Sequence, residues 1–304
     1  MLAPVRRPPS AEAAGWRAQL DLRYKKKGEQ TVVHHAHQGP LRVLKSLYPE
    51  HPSVCHNVLV HPPSGLIGSD RIDIDVQVEE GAHGFITTPG ATRFLGRSTQ
   101  WAQQSVRIRL APHARLEWLP LETLVYSGAW ARNRLVFELA PQSSLMCWDI
   151  YALGLPASDQ AFEAGALDAQ CDWPQRWHER TLIQATDPVL LDGALGLQGR
   201  RTLGQMLLAW DALPGLNSPQ ALEALLEATR EQLTRLAEAS DDATGTSTSA
   251  QWVWGLTTPQ PGLVQLRVLA DHAHHIHTAC QTTWALWRSQ AWGLPAVACR
   301  SWQL

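Results

Sequence analysis

The sequence has few of the features that mark secreted, membrane-spanning or nucleic-acid-binding proteins. Its five cysteines are an odd number without a CxxC pair, which argues against a disulfide framework and favours a reducing compartment. The longest uncharged stretches contain Pro and Gly, so none predicts a bilayer-spanning helix, and the N-terminus lacks the apolar run of a secretory signal. With 26 basic and 28 acidic residues, no excess of positive charge is present for a phosphate backbone. These absences predict a cytoplasmic protein that binds neither nucleic acid nor membrane.

Motifs of the common catalytic classes are also missing. The chain has no GxSxG elbow, no HExxH zinc motif and no GxxxxGK[ST] phosphate loop, and no cysteine has the local signature of an activated thiol. Nothing in the sequence therefore requires that the protein is an enzyme. Two enzymatic alternatives stay open: a metal-dependent hydrolase that uses one of the histidine clusters, and a β-helical carbohydrate-active protein with paired carboxylates.

A period-two pattern dominates the first half of the chain. Three segments alternate apolar and polar residues, as strands with one buried face do: 72–78, 105–110 and 134–139. A turn follows each strand, with Gly81, Pro112 and Pro141 in equivalent places, 31 and 29 residues apart. A strand–turn–strand unit that recurs at about 30 residues predicts stacked β layers, as in a β-helix. A β-sandwich is the alternative.

Two later segments repeat apolar residues every three or four positions. The first, 219–237, follows Ser218 as a plausible N-cap, and the second covers 273–291. Both predict α-helices, with strands between them at 252–254 and 263–269. The fold class that we expect is mainly β, a β-helix-like stack of strands with two α-helices in the C-terminal third.

Composition also suggests the domain limits. A polar stretch of small residues at about 239–250 cannot bury a face and predicts a mobile loop. We expect a disordered tail at 1–14 and a single β-rich domain at 15–304.

Two turn-rich loops are the clearest local motifs. The first runs from His61 to Asp70, and rigid or permissive residues fix its path: Pro62, Pro63, Gly65 and Gly68. Asp70 either bonds neighbouring backbone amides in a turn or presents its carboxylate to a ligand or metal ion. The second loop, TTPGATRF, includes Thr88, Pro89 and Gly90; it either cradles an anion or ends a strand in a turn.

A buried carboxylate is also predicted. Glu117 lies between apolar neighbours in a strand, on the face opposite Leu116 and Trp118, which would normally meet solvent. If both faces of that strand are covered, Glu117 must be paired, protonated or bound to a cation.

Histidines occur in three clusters. They are 34–37, 55–61 (with Cys55) and 271–277, and the last contains His272, His274, His275 and His277. Imidazoles at helical spacing suit borderline ions such as nickel and zinc. The alternative is that these are incidental surface residues.

Taken in order, these loops resemble the urease accessory protein family UreD, also called UreH. The motifs that carry the resemblance are Gly39-Pro-Leu-Arg-Val-Leu, Leu47-Tyr-Pro-Glu, Cys55-His56, HPPSGLIGSD, TTPGATRF, LEWLPLET, Ala152-Leu-Gly-Leu-Pro-Ala157, Trp287-Arg288, Gly293-Leu-Pro-Ala296 and Arg300-Ser-Trp302. They extend over nearly the whole chain, from about Gly15 to Trp302.

The resemblance implies a non-catalytic scaffold with a β-helix-like fold and two helices. Members of the family bind apo-urease and the accessory protein UreF, which recruits the GTPase UreG, and together they deliver nickel to the urease active site. The family's β body is thought to contain a tunnel for this ion. No tightly bound cofactor is expected, and nickel is a transient cargo.

The resemblance also nominates carboxylates for a nickel path. Asp70 matches the aspartate of the family's GGD motif, and Asp149 matches an acidic position after a tryptophan. Glu117 and Glu122 match the LEWLPQE stretch. Near Gln184 the family often has a glutamate, so this position departs from the pattern. The histidines at 271–277 match no family pattern; they are either a nickel-holding patch of this lineage or surface residues.

Overall fold

The computed structural model describes residues 15–216, 218–242, 252–297 and 299–302. Within these ranges the chain is mainly β, with three α-helices: α1 (Pro188–Asp192), α2 (Pro219–Asp242) and α3 (Ala273–Trp292). The strands in chain order are β1 (Arg17–Lys27), β2 (Gln30–Gln38), β3 (Arg42–Val43), β4 (Val54–Val60), β5 (Arg71–Val78), β6 (His83–Thr87), β7 (Thr92–Phe94), β8 (Ala102–Leu110), β9 (Arg115–Trp118), β10 (Thr123–Val125), β11 (Ala129–Leu139), β12 (Ser144–Leu153), β13 (Gly165–Trp173), β14 (Trp177–Gln184), β15 (Thr202–Trp210), β16 (Trp252–Gln260) and β17 (Leu263–Ala270).

The strands form two sheets that the chain visits alternately. The smaller sheet has the order β14-β13-β11-β8-β5-β1-β2, and the larger sheet follows the path β16-β17-β15-β12-β9-β6-β4-β3, with β10 pairing with β12 and β7. Neighbouring strands from β5 to β13 in the first sheet, and from β4 to β12 in the second, are parallel. Parallel neighbours that alternate between two sheets make the predicted β-helix-like stack.

The register confirms the recurrence of about 30 residues. Val106 of β8 pairs with Ile74 on one side and with Leu135 on the other. The intervening turns stack as well, because the Gly81 amide donates to the Pro112 carbonyl, and the His113 amide to the Pro141 carbonyl. Each turn contains one residue in the left-handed region, which glycine adopts without strain: Gly81, His113 and Gln142.

The larger sheet is covered on both faces. Its inner face packs against the smaller sheet and forms one hydrophobic core, with Leu116, Cys147 and Phe137 among its members. Its outer face packs under α2 and α3 and forms a second core, which includes Trp148 and Trp287. The smaller sheet keeps its outer face in solvent, so only its strands alternate cleanly between buried and exposed.

The predicted helices are confirmed, with small differences at their ends. Ser218 caps α2, since its Oγ accepts from the Ala221 amide at 3.1 Å. The helix continues to Asp242, through the first residues of the predicted loop at 239–250; the rest of that loop, and the predicted tail at 1–14, lie outside the described residues. α3 ends at Gly293, whose left-handed backbone terminates the helix. Among the helices described, none is both long and apolar enough to cross a bilayer.

Candidate functional site

The space between the two sheets opens into a cavity at its β14–β15 end. The cavity measures about 490 Å³, and polar residues from four strands line part of it: Asp149, Tyr151, Glu179, Arg180, Gln205 and Arg267. Asp149 faces this space because it alternates along β12 with Trp148 and Ile150, which belong to the core under the helices. The strand that carries Asp149 thus presents apolar side chains to the helices and a carboxylate to the inter-sheet space.

A chain of amides leads from this cavity along the interior. Asn133, which is 3% exposed, donates to the Tyr151 hydroxyl at 2.6 Å and to Asp149 Oδ1 at 3.4 Å. Its own Oδ1 accepts from Gln104 Nε2 at 3.2 Å. Gln104 in turn lines a second cavity of about 130 Å³. A polar column therefore crosses the inner core from one cavity to the other.

Asp149 is poorly compensated for its burial. Burial raises the pKa of its carboxyl from 3.8 to about 7, and the long bond from Asn133 opposes this only weakly. Burial also raises the pKa of the Cys147 and Cys171 thiols well above their ordinary value. Both sulfurs beside Asp149 therefore carry protons near neutral pH, whereas the Asp149 carboxyl is about half ionised there and is the group that can exchange its proton for a cation.

Glu179 supplies a second carboxylate to the same cavity. It faces inward on β14, where its Oε2 accepts from Gln265 Nε2 at 2.6 Å and pairs with Arg267 at 2.9 Å. Gln184, at which the resemblance suggested a missing glutamate, lies exposed at the end of β14. Alternation along β14 is the signal that places Glu179 inside, and our reading of the sequence did not use it.

The two motif loops meet at the second cavity. His61, Pro63 and Gly65 line it from one side, and Thr88, Pro89 and Gly90 from the other. Burial lowers the pKa of His61, and its Nε2 is buried without a hydrogen-bond partner in the described structure. The sequence indicated each loop as a separate candidate site, but it did not indicate that the two loops line the same cavity.

Both carboxylate oxygens of Asp70 accept hydrogen bonds from backbone amides. Its Oδ1 accepts from the Trp16 amide at 3.0 Å and its Oδ2 from the Ile67 amide at 2.8 Å. Asp70 is 3% exposed, and it ties the start of β1 to the 61–70 loop. The geometry agrees with the turn interpretation, because both carboxylate oxygens are already used.

The hydroxyls of TTPGATRF bond to the neighbouring layer. Thr87 Oγ1 donates to the Leu119 carbonyl at 2.6 Å, and Thr88 Oγ1 accepts from the Leu121 amide at 2.9 Å. Thr87 Oγ1 also accepts a hydrogen bond from the Trp302 indole nitrogen at 3.0 Å. This arrangement fits a strand end followed by a turn rather than an anion cradle.

Glu117 is completely buried on the outer face of the larger sheet, under α3. It accepts from His83 Nε2 at 2.8 Å and from the Trp284 indole, and it pairs with Arg288 Nε at 3.2 Å. Burial alone would raise the pKa of Glu117, but these partners outweigh it and hold the pKa below its ordinary value. Burial lowers the pKa of His83, so a neutral imidazole donates to an ionised carboxylate. Of the three possibilities for Glu117, the structure shows pairing.

Arg288 extends this network to a second carboxylate that our reading of the sequence missed. Its Nη2 lies 2.7 and 2.6 Å from the two carboxylate oxygens of Glu50, which also accepts from His56 Nε2 at 2.7 Å. Arg288 is completely buried and also donates to the Pro295 carbonyl. One guanidinium therefore joins the loop before β4, strand β9, helix α3 and the segment after it.

Glu122 and His277, predicted as parts of two different sets, form one pair. His277 Nε2 lies 2.7 Å from Glu122 Oε2, and this hydrogen bond lowers the pKa of Glu122. The His277 ring also meets the edge of Trp148. The pair fastens the start of α3 to the segment before β10.

The other histidines of the 271–277 cluster gather at the N-terminus of α3. The ring centroids of His274 and His275 are 3.9 Å apart, and His272 lies within 6.2 Å of both. Partial burial and mutual repulsion lower the pKa of His274 and His275. Across the residues that the structure describes, no three His, Cys, Asp or Glu side chains are placed to hold one metal ion.

Comparison with known proteins adds a family to this geometry. A family model described as the UreD urease accessory protein matches residues 16–303. The urease accessory protein UreD of Variovorax paradoxus (strain S110) is 43% identical over 287 residues, 94% of this chain and 99% of that protein. The proteins of the same name from Paracidovorax citrulli (strain AAC00-1) and Albidiferax ferrireducens (strain ATCC BAA-621 / DSM 15236 / T118) are also 43% identical, over 95% of this chain and 99% of their own lengths. The similarity therefore includes both sheets and the helices that cover the larger one.

Proposed function

Because this chain belongs to the UreD family of urease accessory proteins, we propose that it is a non-catalytic scaffold for the maturation of urease. In this proposal it binds apo-urease and UreF, and UreG joins through UreF. Its β body assists the delivery of nickel to the urease active site. The observation that carries the proposal is the cavity of about 490 Å³ with Asp149 and Glu179 on its wall.

A path for nickel needs ligands that bind the ion weakly and one after another. A closed set of three or four ligands would trap the ion, whereas isolated oxygen ligands let it leave. Asp149 fits this demand because it has open space beside it and only one long hydrogen bond. The side-chain amides of Gln104 and Asn133 add further oxygen atoms along the interior. These oxygens support the proposal of a continuous path for the ion.

The other three carboxylates of the predicted path have stronger existing partners. Asp70 bonds two amides, Glu117 is paired with Arg288, and Glu122 is paired with His277. An ion would have to break these contacts before it could bind. We therefore assign the transit role first to Asp149. Glu179 comes second, because its ion pair with Arg267 is mostly exposed on the arginine side and therefore weak. We assign a structural role to the other three.

Co-production of urease with variants of this chain tests the proposal. We expect Asp149→Asn and Glu179→Gln to retain binding to UreF and to apo-urease in a pull-down. We expect the nickel content of the purified urease to fall several-fold, because each substitution removes a charged oxygen ligand from the cavity. Nickel per urease, measured by elemental analysis, is the readout.

A matched control is available on the outside of the same body. Glu138→Gln removes an exposed carboxylate from β11 and should leave the nickel content unchanged. Normal nickel content with both cavity variants would exclude these residues from the path. If the wild-type chain fails to bind UreF and apo-urease, the scaffold proposal itself is wrong.

A further inference from the structure

Strand β2 carries an imidazole pair outside both cavities and outside the network under α3. β2 is the edge strand of the smaller sheet and pairs on one side only, with β1. His35 lies opposite Leu22 and His37 opposite Leu20. Since Leu20 and Leu22 face the inner core, both histidines lie on the same, inner side of the strand.

The two rings lie in solvent beyond the end of the core. Nearer the start of β2, Thr31 is buried and Val33 packs against the inner core, but both histidines are exposed. Their ring centroids are 6.3 Å apart and their planes differ by 29°. Within the described parts of the chain, neither ring makes a hydrogen bond or an ion pair, so their nitrogens are free to take a ligand.

We propose that His35 and His37 form a two-imidazole binding site for nickel or a similar divalent transition-metal ion. Two imidazoles at positions i and i+2 of a strand project on one side, where rotation of the exposed side chains can bring one nitrogen of each ring to about 2.1 Å from a single ion. Imidazole is a ligand of choice for Ni²⁺, Cu²⁺ and Zn²⁺. Water fills the remaining positions, so the site is open and the ion exchanges readily.

The surroundings of His35 and His37 favour a bound cation more than the surroundings of the denser histidine cluster on α3 do. His272, His274 and His275 lie at the N-terminus of a helix, where the positive end of the helix dipole opposes a bound cation. A strand has only a small net dipole, so no comparable field acts at His35 and His37. The pair needs no third protein ligand, which agrees with the absence of any three-residue metal group among the described residues.

Nickel titration of the untagged full-length chain tests this site, with Ni²⁺ alone as the probe. We compare the double variant His35→Ala/His37→Ala with His34→Ala, which removes an imidazole from the opposite face of the same strand. Equilibrium dialysis followed by elemental analysis gives the number of bound ions and their affinity. Thermal unfolding shows that each variant is folded.

We expect the double variant to lose one bound nickel ion per chain, while His34→Ala binds like the wild type. Each single variant should lower the affinity for that ion by at least roughly 10–100-fold. That is the loss usually seen when a metal site loses an outer-sphere partner, and here a direct ligand is removed. Unchanged stoichiometry and affinity in the double variant, or an equal loss in His34→Ala, would overturn the inference. The outcome is independent of the nickel path, because the assay involves neither urease nor UreF.

Discussion

The larger sheet carries a carboxylate on each of its faces, one fully buried and one part-buried beside a cavity, and the two are held in opposite ways. Glu117 lies on the outer face under α3, where His83, Trp284 and Arg288 hold its pKa below the ordinary value. Asp149 lies on the inner face beside a cavity, with one weak partner, and burial raises its pKa to about 7. The same sheet therefore holds one saturated carboxylate and one that still lacks a counter-charge.

The difference shows what each face contributes. The outer face uses charge to attach α3 and the segment after it, because breaking the contacts of Arg288 would leave two carboxylates buried without their guanidinium. The inner face leaves its carboxylate accessible to a cation through the cavity. Burial alone does not distinguish a structural acid from a functional one. The number of strong partners distinguishes them.

The largest effect is expected on the outer face. Arg288→Met should lower the free energy of unfolding by about 3–5 kcal/mol, because it leaves the carboxylates of Glu117 and Glu50 buried without their guanidinium. Chemical denaturation at neutral pH measures this change. Arg109→Met provides the control, since it breaks the partly exposed pair with Asp75 and should cost about 1 kcal/mol or less. Equal losses in the two variants would show that the network under α3 does not fasten the helix.

A smaller, pH-dependent effect is expected on the inner face. Because the pKa of Asp149 is about 7 in the folded chain and near 3.8 in the unfolded one, the folded state retains a proton that the unfolded state releases. Wild-type stability therefore falls as the pH rises from about 4 to about 7 on account of this group. Asp149→Asn removes that dependence. Its stability relative to the wild type should increase by on the order of 2–3 kcal/mol between about pH 5 and about pH 8, and stay level above that range.

Denaturation of both proteins at about pH 5 and pH 8 checks this sign. Glu138→Gln removes an exposed carboxylate and should follow the wild-type curve at both values. A constant difference between Asp149→Asn and the wild type would contradict the uncompensated burial of Asp149.

The smallest effect is expected from the histidines at the start of α3. The triple variant His272→Ala/His274→Ala/His275→Ala should change stability by no more than about 0.5 kcal/mol, as partly exposed side chains usually do. Urease co-produced with it should contain nearly wild-type nickel. A loss of nickel as large as that expected for Asp149→Asn would move the functional assignment from the sheet interior to this cluster.

The strands that alternate were located by their pattern, whereas most of the strands buried on both faces were not. β5, β8 and β11 each bury one face and expose the other, so the period-two pattern located them. The strands that follow them in the larger sheet differ: β6, for example, is buried at every position, so its sequence does not alternate. The recurrence of the turns nevertheless revealed the stack, because each turn repeats at the same place in every layer.

The candidate site was only partly predictable, since its contacts join distant parts of the chain. Glu122 and Glu117 were singled out from local pattern and family resemblance. Their partners His277 and Arg288 lie 155 and 171 residues further along the chain, and no local pattern links them. Glu50 ends the Leu47-Tyr-Pro-Glu motif, but no role was predicted for it, because the arginine that pairs with it lies 238 residues further along the chain.

The sequence by itself determined the mainly β class, the layer spacing, the two long helices and the family. These follow from local alternation, turn chemistry and ordered motifs, each of which acts over a few residues. The tertiary structure alone decided which carboxylates have partners, because α3 covers one face of the larger sheet while a cavity borders the other. Partnership between buried charges depends on distances across layers, and those distances are set only when the sheets and helices pack together.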